Sequence, residues 1–506
     1  MMPSGRLSAG AVAIPVGLSW PLLVAAGIFL LLLALPERLM VDGDVYLHVA
    51  IGRWIIEHGR VPAFEPFSFT LRGAPWTAHE WLSEVVFAGA YTLGGWIGAV
   101  IVAAAATSAA LAILNRFLLR HLEPIYALLF TAMAASLLAF HLLARPHALV
   151  APLLVSWGIG LVNARQQNHF PPWQLAALMA VWSNLHGSFV LGLVLVAAFA
   201  AEALLAAAPG VERQRTARGW GGFLILALLA SMATPFGLRG LLFAAELDQM
   251  PFALSVIGEW RSLNFQRLQP LEISLMIAAA AILARGIRLP PVRIVLLLAL
   301  LHLALKHARH VDLLALLAPV IVAGPFAAQW SATRDGTRQV IVIDRFFAAL
   351  ALPARPATIA VVFALLAAAA WMAGQGKAVQ PLAAVTPEAA LRAVREGGVR
   401  GPVFNAYEFG GYLIFSGTPP FIDGRADLYG DAFLKTYMEA INLNAPELLP
   451  RLLDGYRIGW TLLQPGMPAV ALLDYLPGWR RLHADKVAVV HVRDPQAGHR
   501  SATPEK

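Results

Sequence analysis

The sequence predicts a mainly α, polytopic transmembrane helical bundle of about eleven spans, followed by a small C-terminal α/β domain. Hydrophobic residues make up 58% of the 506 residues and charged residues only 13%, a balance that would leave too much apolar surface in water. Apolar runs of near-bilayer length also recur along the chain and stop near residue 375. Both observations are typical of a multi-pass membrane protein.

The basic residues of the loops between the apolar runs predict the topology. The runs cover approximately residues 18–36, 96–115, 124–143, 147–163, 172–187, 188–208, 220–235, 271–285, 292–306, 311–329 and 357–374. The positive-inside rule assigns to the cytoplasm the loops that hold Arg116, Arg120, Arg165, Arg213, Arg215, Arg218, Arg285 and Arg288. Loops on the other side also carry basic residues, so the bias supports this topology without deciding it.

An odd number of spans places the C-terminal residues outside the cytoplasm. We therefore expect a protein of the inner (cytoplasmic) membrane, with a transmembrane domain at residues 1–374 and an extracytoplasmic α/β domain at residues 375–506. The first span follows Arg6 without a small-residue cleavage site, so we expect it to be retained rather than removed as a signal peptide.

Composition and motifs exclude several classes of chemistry. The net charge of +8 is explained by topology rather than by nucleic acid, because basic runs with interleaved aromatic residues are absent from the sequence. The chain has no Cys, which excludes disulfides, thiolate metal sites and cysteine nucleophiles. His-Glu-x-x-His spacing and a phosphate-cradling glycine loop are also absent from the sequence.

Polar motifs gather in the loops predicted to lie on the outer face. These motifs are "VDGDVYLH", "TAHEWLSE", "ARPH", "SNLHGS", "TPFGLRG", "GEWRSLNFQR" and "LKHARHVD". Ionisable groups at membrane depth are costly unless they line a cavity or pair with one another. Their collection on one side predicts a single site there, although interface residues alone would explain individual Trp and Arg positions.

Two surface helices are predicted between the first two spans. In "DVYLHVAIGRWIIEHG" apolar residues recur at helical spacing, and Gly59 and Pro62 follow as end signals. "WTAHEWLSEVVFAGAYTLGG" predicts a second helix that leads into the next span. The carboxylates of Asp42 and Asp44 stand at the start of this region, directly after the first span.

This order of features resembles the C-type membrane glycosyltransferases (GT-C), in an uncharacterised bacterial branch. The resemblance lies in the first span, the outward acidic motif Asp42-Gly43-Asp44, and two juxtamembrane helices bracketing His79-Glu80-Trp81. It implies a glycosyltransferase that takes a sugar from a polyprenyl-phosphate donor in the membrane lipid and passes it to an extracytoplasmic glycan, lipid or protein acceptor. A "WWD" acceptor-peptide signature is absent from the sequence, which argues against oligosaccharyl transfer to asparagine.

Sugar transfer needs a carboxylate to deprotonate the acceptor or hold a divalent cation, and cationic groups to receive the leaving phosphate. Asp44 is the expected catalytic base or metal ligand and Asp42 its partner, with Mg²⁺ or Mn²⁺ as the expected cation; two acids after a span are also often simply solvated. The phosphate-binding candidates are Lys306, Arg309, His310, Arg145 and His147. Contact with lipid headgroups is the alternative, above all for Lys306.

Further substrate-binding candidates have structural alternatives. His79 and Glu80 are expected to bind the acceptor or complete a cation site, but a pair at a helix start also serves as a cap. Asn184 and His186 are expected to line the cavity, or to form a polar turn between two spans. An ordinary ion pair anchored by Trp260 is expected for Glu259 and Arg261.

The last 130 or so residues predict a separate α/β unit. "TPEAALRAVREGG" is typical of a capped amphipathic helix, and "PVFNAYEFGGYLIF", "PPFIDGR", "RIGWTLLQ" and "KVAVVHVRD" have the length and pattern of strands. Asp423 and Arg425 follow one of these apolar segments, with Asp427 beyond them. They are expected to bind acceptor sugar, or to form a self-satisfied turn with an internal salt bridge.

A second function class stays open. The alternative is a non-enzymatic membrane scaffold or carrier that binds lipid-linked saccharide in the same cavity without transferring it. A transporter would show related halves with interrupted helices, and the sequence has no such internal repeat.

Overall fold

The structure is a computed structural model that describes residues 17–139, 141–246, 250–330, 342–376 and 379–494. Residues 377 and 378, next to the predicted domain boundary, lie outside the described residues. Helices dominate, and a small sheet lies in the C-terminal part. The predicted fold class is confirmed at that level.

Helices form the part of the molecule that precedes residue 376. They are α1 (Trp20–Ala34), α2 (Asp44–His58), α3 (Trp81–Leu118), α4 (Pro124–Leu138), α5 (Pro146–Gln166), α6 (Leu175–Leu185), α7 (Phe189–Ala206), α8 (Val211–Ser231), α9 (Leu238–Glu246), α10 (Pro251–Val256), α11 (Pro270–Arg285), α12 (Pro291–Lys306), α13 (Val311–Trp330), α14 (Val342–Leu350) and α15 (Pro356–Gln375). Proline at the start of many of them fixes the first turn, where its missing N–H costs no hydrogen bond.

Within the described part of the chain, five stretches of helix are long and apolar enough to cross a membrane. They are Trp81–Leu118, Pro146–Gln166, Phe189–Ala206, Ala308–Gln329 and Pro356–Gln375. Other apolar helices are shorter: the 15 residues of α1 rise only about 22 Å, less than the hydrocarbon thickness of about 30 Å. A helix occupies every predicted span, but the number of eleven crossings stays a prediction.

The two predicted surface helices lie at one end of the bundle. The first is α2, which ends at Gly59 in a left-handed conformation. The second is the start of α3, which breaks at Gly95 (φ 61°, ψ −151°) before continuing into the bundle. That backbone conformation is essentially restricted to glycine, so Gly95 permits the change of direction between the surface segment and the span.

The C-terminal part contains a four-stranded sheet with helices packed around it. Its strands are β1 (Val403–Asn405), β2 (Trp460–Leu463), β3 (Trp479–Ala484) and β4 (Val489–Arg493), in the order β1-β2-β4-β3. Its helices are α16 (Glu388–Glu396), α17 (Gly410–Phe415), α18 (Ala426–Ile441), α19 (Leu448–Gly455) and α20 (Pro468–Tyr475). β1 pairs with β2 in parallel, so the chain crosses over between them through helices.

The predicted strands of the C-terminal part are only partly correct. "RIGWTLLQ" and "KVAVVHVRD" contain β2 and β4, but "PVFNAYEFGGYLIF" is a strand only at Val403–Asn405 and becomes helical at Gly410–Phe415. "PPFIDGR", at residues 419–425, forms no strand. A side chain at Gly411 would lie 2.6 Å from the carbonyl oxygen of Gly43, so this segment packs directly against the start of α2. That close contact with the start of α2 is a tertiary constraint that a strand pattern does not contain.

Candidate active site

One large cavity, of about 780 Å³, lies between the start of α2, the loops at the same end of the bundle and the C-terminal part. Its titratable lining residues come from distant parts of the chain: Asp42, Asp44, His48, His79, Glu80, Glu84, His141, Arg145, His147, His186, Glu259, Arg309, His310, Asp312, Tyr407, Glu408, Arg425 and Asp427. Apolar side chains also line it, among them Leu138, Val150, Leu154, Leu191, Leu303, Leu313 and Leu316. The cavity therefore combines titratable and apolar walls.

Arg145 joins the two carboxylates of the acidic motif. Its Nη2 lies 2.6 Å from Asp42 Oδ2 and also contacts Asp44 Oδ2 directly. The backbone N–H of Asp44 donates to Asp42 Oδ1 at 2.8 Å, so the two acids are held together at the first turn of α2. Arg145 precedes Pro146, and its extended backbone is the conformation that a following proline favours.

Glu259 brings a second guanidinium beside the first. Its carboxylate accepts from Arg145 Nη1 at 2.7 Å and from Arg309 Nη1 at 3.0 Å. The guanidinium of Arg309 also lies 4.3 Å from the ring centroid of Trp260. Although burial alone would raise it, the two guanidinium groups hold the pKa of Glu259 well below its usual range. The partners of Glu259 are thus Arg145 and Arg309 rather than the predicted Arg261.

Asp44 is in an environment that suits a general base. Burial raises its pKa to about 7; Arg145 opposes this shift, and the negative charges of Asp42 and Glu259 add to it. A carboxylate with a pKa near neutrality is a stronger proton acceptor than an ordinary Asp and is still ionised in a large fraction of molecules. Its side chain keeps 26% of its exposure, so it is accessible from the cavity.

A cluster of potential metal ligands lies beside this array. One ligand atom each from His141, His147 and Asp312 lies within 4.8 Å of the others. His141 Nε2 is 3.3 Å from Glu259 Oε2, which connects the cluster to the guanidinium pair. His141 Nδ1 lies 3.4 Å from Asp312 Oδ2, and Asp312 Oδ1 is buried without a hydrogen-bond partner. The predicted cation pair, Asp42 and Asp44, instead holds the guanidinium of Arg145 between its carboxylates.

A third cluster of polar side chains contains His79 and Glu80, at the start of α3, and His186. His79 Nε2 lies 3.7 Å from Glu80 Oε1, and His186 Nε2 lies 3.4 Å from the same oxygen. Glu80 occupies the N-cap position of α3 but makes no side-chain capping hydrogen bond there. Burial lowers the pKa of His186 well below its usual value, and the charge of Arg309 lowers it further. His186 is therefore neutral, and its imidazole is a weak proton acceptor.

Three predicted site residues are placed elsewhere. The described residues that line the cavity do not include Asn184, Lys306 and Asp423. The amide of Asn184 accepts from Trp81 Nε1 at 2.7 Å and donates to two backbone carbonyl oxygens. Lys306 is exposed.

Asp423 is fully buried and pairs with Arg425, which does line the cavity. Arg425 Nη2 lies 2.7 Å from Asp423 Oδ2 and donates to Glu65 Oε1 at 3.1 Å, and Arg425 Nη1 also contacts Glu65 in the loop between α2 and α3. The hydroxyl of Tyr429 donates to Asp423 at 2.8 Å. The internal salt bridge expected for this turn is present, and Glu65 extends it to the helical bundle.

Sequence reasoning missed His141, Glu259 and Asp312 as parts of the cavity. Asp312 lies in the motif "LKHARHVD" together with the predicted site residue His310. This proximity along the chain could have identified Asp312 as a further candidate. Glu259 also lies in one of the polar motifs, "GEWRSLNFQR", but its partners could not be identified from the sequence. Its two guanidinium partners are 114 and 50 residues away along the chain, and only the fold brings them together.

Known proteins were compared by sequence and by structure. No family model matches the chain, and no curated protein matches its sequence. Among solved structures, archaeal oligosaccharyltransferase AglB from Archaeoglobus fulgidus, in complex with an inhibitory peptide and a dolichol-phosphate, is similar with a TM-score of 0.50 and 12% identity, covering 96% of this chain and 74% of that chain. The apo form of the Archaeoglobus fulgidus oligosaccharyltransferase gives a TM-score of 0.47 with 11% identity over 87% and 69% of the two chains. The chain therefore shares its fold with this archaeal oligosaccharyltransferase, which agrees at the level of the fold with the resemblance drawn from the sequence.

Proposed function

We propose that the protein is an integral-membrane glycosyltransferase that moves a sugar from a polyprenyl-phosphate-type lipid donor to an extracytoplasmic acceptor. The observation that carries the proposal is the convergence of Asp44, Arg145, Glu259 and Arg309 in one cavity that also has apolar walls. Such a cavity brings a base, two cationic groups and apolar side chains to a single substrate. The dolichol-phosphate bound to the archaeal protein of like fold supports a donor of this class.

The apolar wall of the cavity favours a donor that carries a lipid chain. Leu138 lies on α4, Leu154 on α5 and Leu313 on α13, so the wall runs between helices of the bundle. A polyprenyl chain placed there would bury apolar surface while its phosphate stays beside the titratable side chains. A soluble nucleotide sugar would gain nothing from this arrangement.

Arg145 and Arg309 are suited to receive the leaving phosphate. Glu259 holds both guanidinium groups in place before substrate arrives, which reduces the reorganisation needed when negative charge develops on the phosphate. Arg145 Nε is buried without a hydrogen-bond partner, so this donor is available to an anionic oxygen. Two fixed guanidinium groups can each donate in fork geometry to phosphate oxygens.

Asp44 acts as the base in the proposed reaction. The acceptor hydroxyl gives its proton to the Asp44 carboxylate while its oxygen forms a bond to the anomeric carbon of the sugar. The bond between that carbon and the phosphate oxygen breaks, and the electron pair leaves with the lipid phosphate towards Arg145 and Arg309. Carboxylates such as Glu80 and Asp427 line the same cavity and accept hydrogen bonds from sugar hydroxyl groups.

A divalent cation fits the donor set of His141, His147 and Asp312. Two imidazoles and a carboxylate suit Mn²⁺ or Zn²⁺ better than Mg²⁺, which prefers oxygen ligands. A cation held there would supply additional positive charge for the leaving phosphate. It would also offset the negative charge of the cavity, where the described carboxylates outnumber the guanidinium groups.

The proposal includes the orientation of the protein in the membrane. The cavity mouth and the C-terminal α/β part face the extracytoplasmic side of the inner membrane, with the transmembrane domain ending near residue 374. An acceptor would then approach from outside, as a lipid-borne donor arrives from within the bilayer. The basic loops at the opposite end of the bundle support this orientation.

The proposal is tested with purified full-length protein and a panel of radiolabelled polyprenyl-phosphate sugars. Transfer of label to a water-soluble or lipid acceptor, or release of the lipid phosphate from at least one donor, is the expected result. D44N protein serves as the blank, and D454N, which changes an exposed Asp of the C-terminal part, serves as the matched control that retains activity. Failure of every donor to turn over would contradict the proposal.

A further inference from the structure

A second cavity lies at the other end of the helical bundle. It has a volume of about 260 Å³ and is formed by the last turns of α5 and α7 and the first turns of α8. The 21 residues of α5 run from the active-site cavity to this one, a distance of about 31 Å. It is therefore separate from the proposed site of transfer.

The charge of this second cavity favours an anion. Arg165 and Arg215 line it, against a single lining carboxylate, Glu212. Behind the wall, Glu202 is paired with two guanidinium groups: Arg293 Nε at 2.9 Å and Arg165 Nε at 3.2 Å. One carboxylate shared by two guanidinium groups leaves positive charge uncompensated next to the cavity.

The remaining lining places the cavity at the level of a membrane interface. Trp220 is buried in its wall, while Phe170 is half exposed. Aromatic residues are enriched where helices leave the hydrocarbon region, and basic pockets between helices at that level are suited to lipid headgroups. The volume is small for a sugar-sized ligand with a lipid tail but sufficient for a phosphate headgroup.

We propose that this second cavity binds a phosphate group, presented by an anionic phospholipid of the leaflet opposite the active-site cavity. Arg215 makes the direct contact, because it is exposed and free to reorient, while the paired Arg165 supplies fixed positive charge from the wall. Bound lipid would tie the ends of α5, α7 and α8 together. The proposal does not depend on sugar transfer.

The test measures thermal stabilisation of purified full-length protein titrated with dioctanoyl phosphatidylglycerol. Dioctanoylglycerol, which lacks the phosphate, and inorganic phosphate form the two other arms. R215Q is compared with R218Q, an exposed Arg on the same helix that does not line the cavity, and A206E with its neutral counterpart A206Q. All three positions changed are exposed, so the four substitutions leave the packed core untouched.

Phosphatidylglycerol is expected to stabilise the wild type, with a half-effect concentration that rises about fivefold in R215Q and stays within about twofold in R218Q. A206E should abolish the effect and A206Q should retain it. Stabilisation by inorganic phosphate that also depends on Arg215 would identify a free phosphate as a sufficient ligand, and stabilisation by the lipid alone would identify the headgroup. Equal responses in R215Q and R218Q, or equal stabilisation by dioctanoylglycerol, would overturn the proposal.

Discussion

At the scale of single residues, the proposed chemistry depends on how the neighbours of Asp44 affect its position and its pKa. Arg145 holds its carboxylate in place, while burial and two nearby acids make the proton harder to remove. A base of this kind loses activity in acid, because the protonated form cannot accept the acceptor's proton. The pH at which this happens follows from its environment rather than from the ordinary pKa of Asp.

The pH dependence of transfer should reflect Asp44. Burial raises its pKa to about 7, so the ionised, active form is scarce below that pH and dominant above it. We expect kcat/KM to rise about tenfold between about pH 6 and about pH 8, as the ionised fraction does. The measurement is the rate of donor consumption across that range, with protein stability checked at each pH. A flat profile, or one that falls as the pH rises, would rule out Asp44 as the base with this pKa.

At the scale of secondary-structure elements, one glycine determines how the surface platform joins the bundle. Replacing Gly95 by Ala places a side chain on a backbone with φ 61° and ψ −151°. The cost should be about 1–3 kcal/mol in the free energy of unfolding, with a matching decrease in thermal stability. The control is G89A in the same helix, where an added methyl group meets nothing within 4 Å and helix propensity improves. Equal stability of the two variants would contradict the assigned role of Gly95.

The elements themselves were largely predictable from sequence, and their boundaries and contacts were not. Apolar runs locate the helices because burial in lipid demands about twenty consecutive apolar residues. The helix at Gly410–Phe415 was predicted as a strand, since a short apolar run carries no periodicity to separate the two. Glu259 was missed as a cavity residue for a different reason: its pairing with Arg145 is a property of the tertiary fold alone.

At the scale of the whole molecule, the C-terminal part and the bundle form a continuous structure. Ala253 of α10 belongs to the hydrophobic core of the C-terminal part, and Asp431 accepts hydrogen bonds from the backbone N–H groups of Phe252 and Ala253. Tyr407 and Asp427 of the C-terminal part line the active-site cavity. The site is therefore completed only when the two parts are docked.

The buried pair of Glu65 and Arg425 should be the main polar contribution to that docking. E65Q removes a fully buried charge opposite Arg425, and we expect a loss of about 3 kcal/mol in stability, seen as a lower melting temperature and faster proteolysis of the C-terminal part. E388Q, which breaks an exposed pair with Arg392, should cost no more than about 0.5 kcal/mol. Similar effects of the two substitutions would show that the buried pair does not hold the parts together.

In the proposed reaction Asp44 deprotonates the acceptor, while Arg145 and Arg309 bind the phosphate of the donor in the same cavity. The most direct test compares equilibrium binding and turnover of one labelled lipid-phosphate sugar by wild-type and D44N protein. We predict that D44N binds the donor at least as tightly, since a negative charge near the phosphate is removed, while turnover falls by about 100-fold or more. Turnover by D44N at the wild-type rate would contradict the account, as would loss of donor binding in a D44N protein that remains folded.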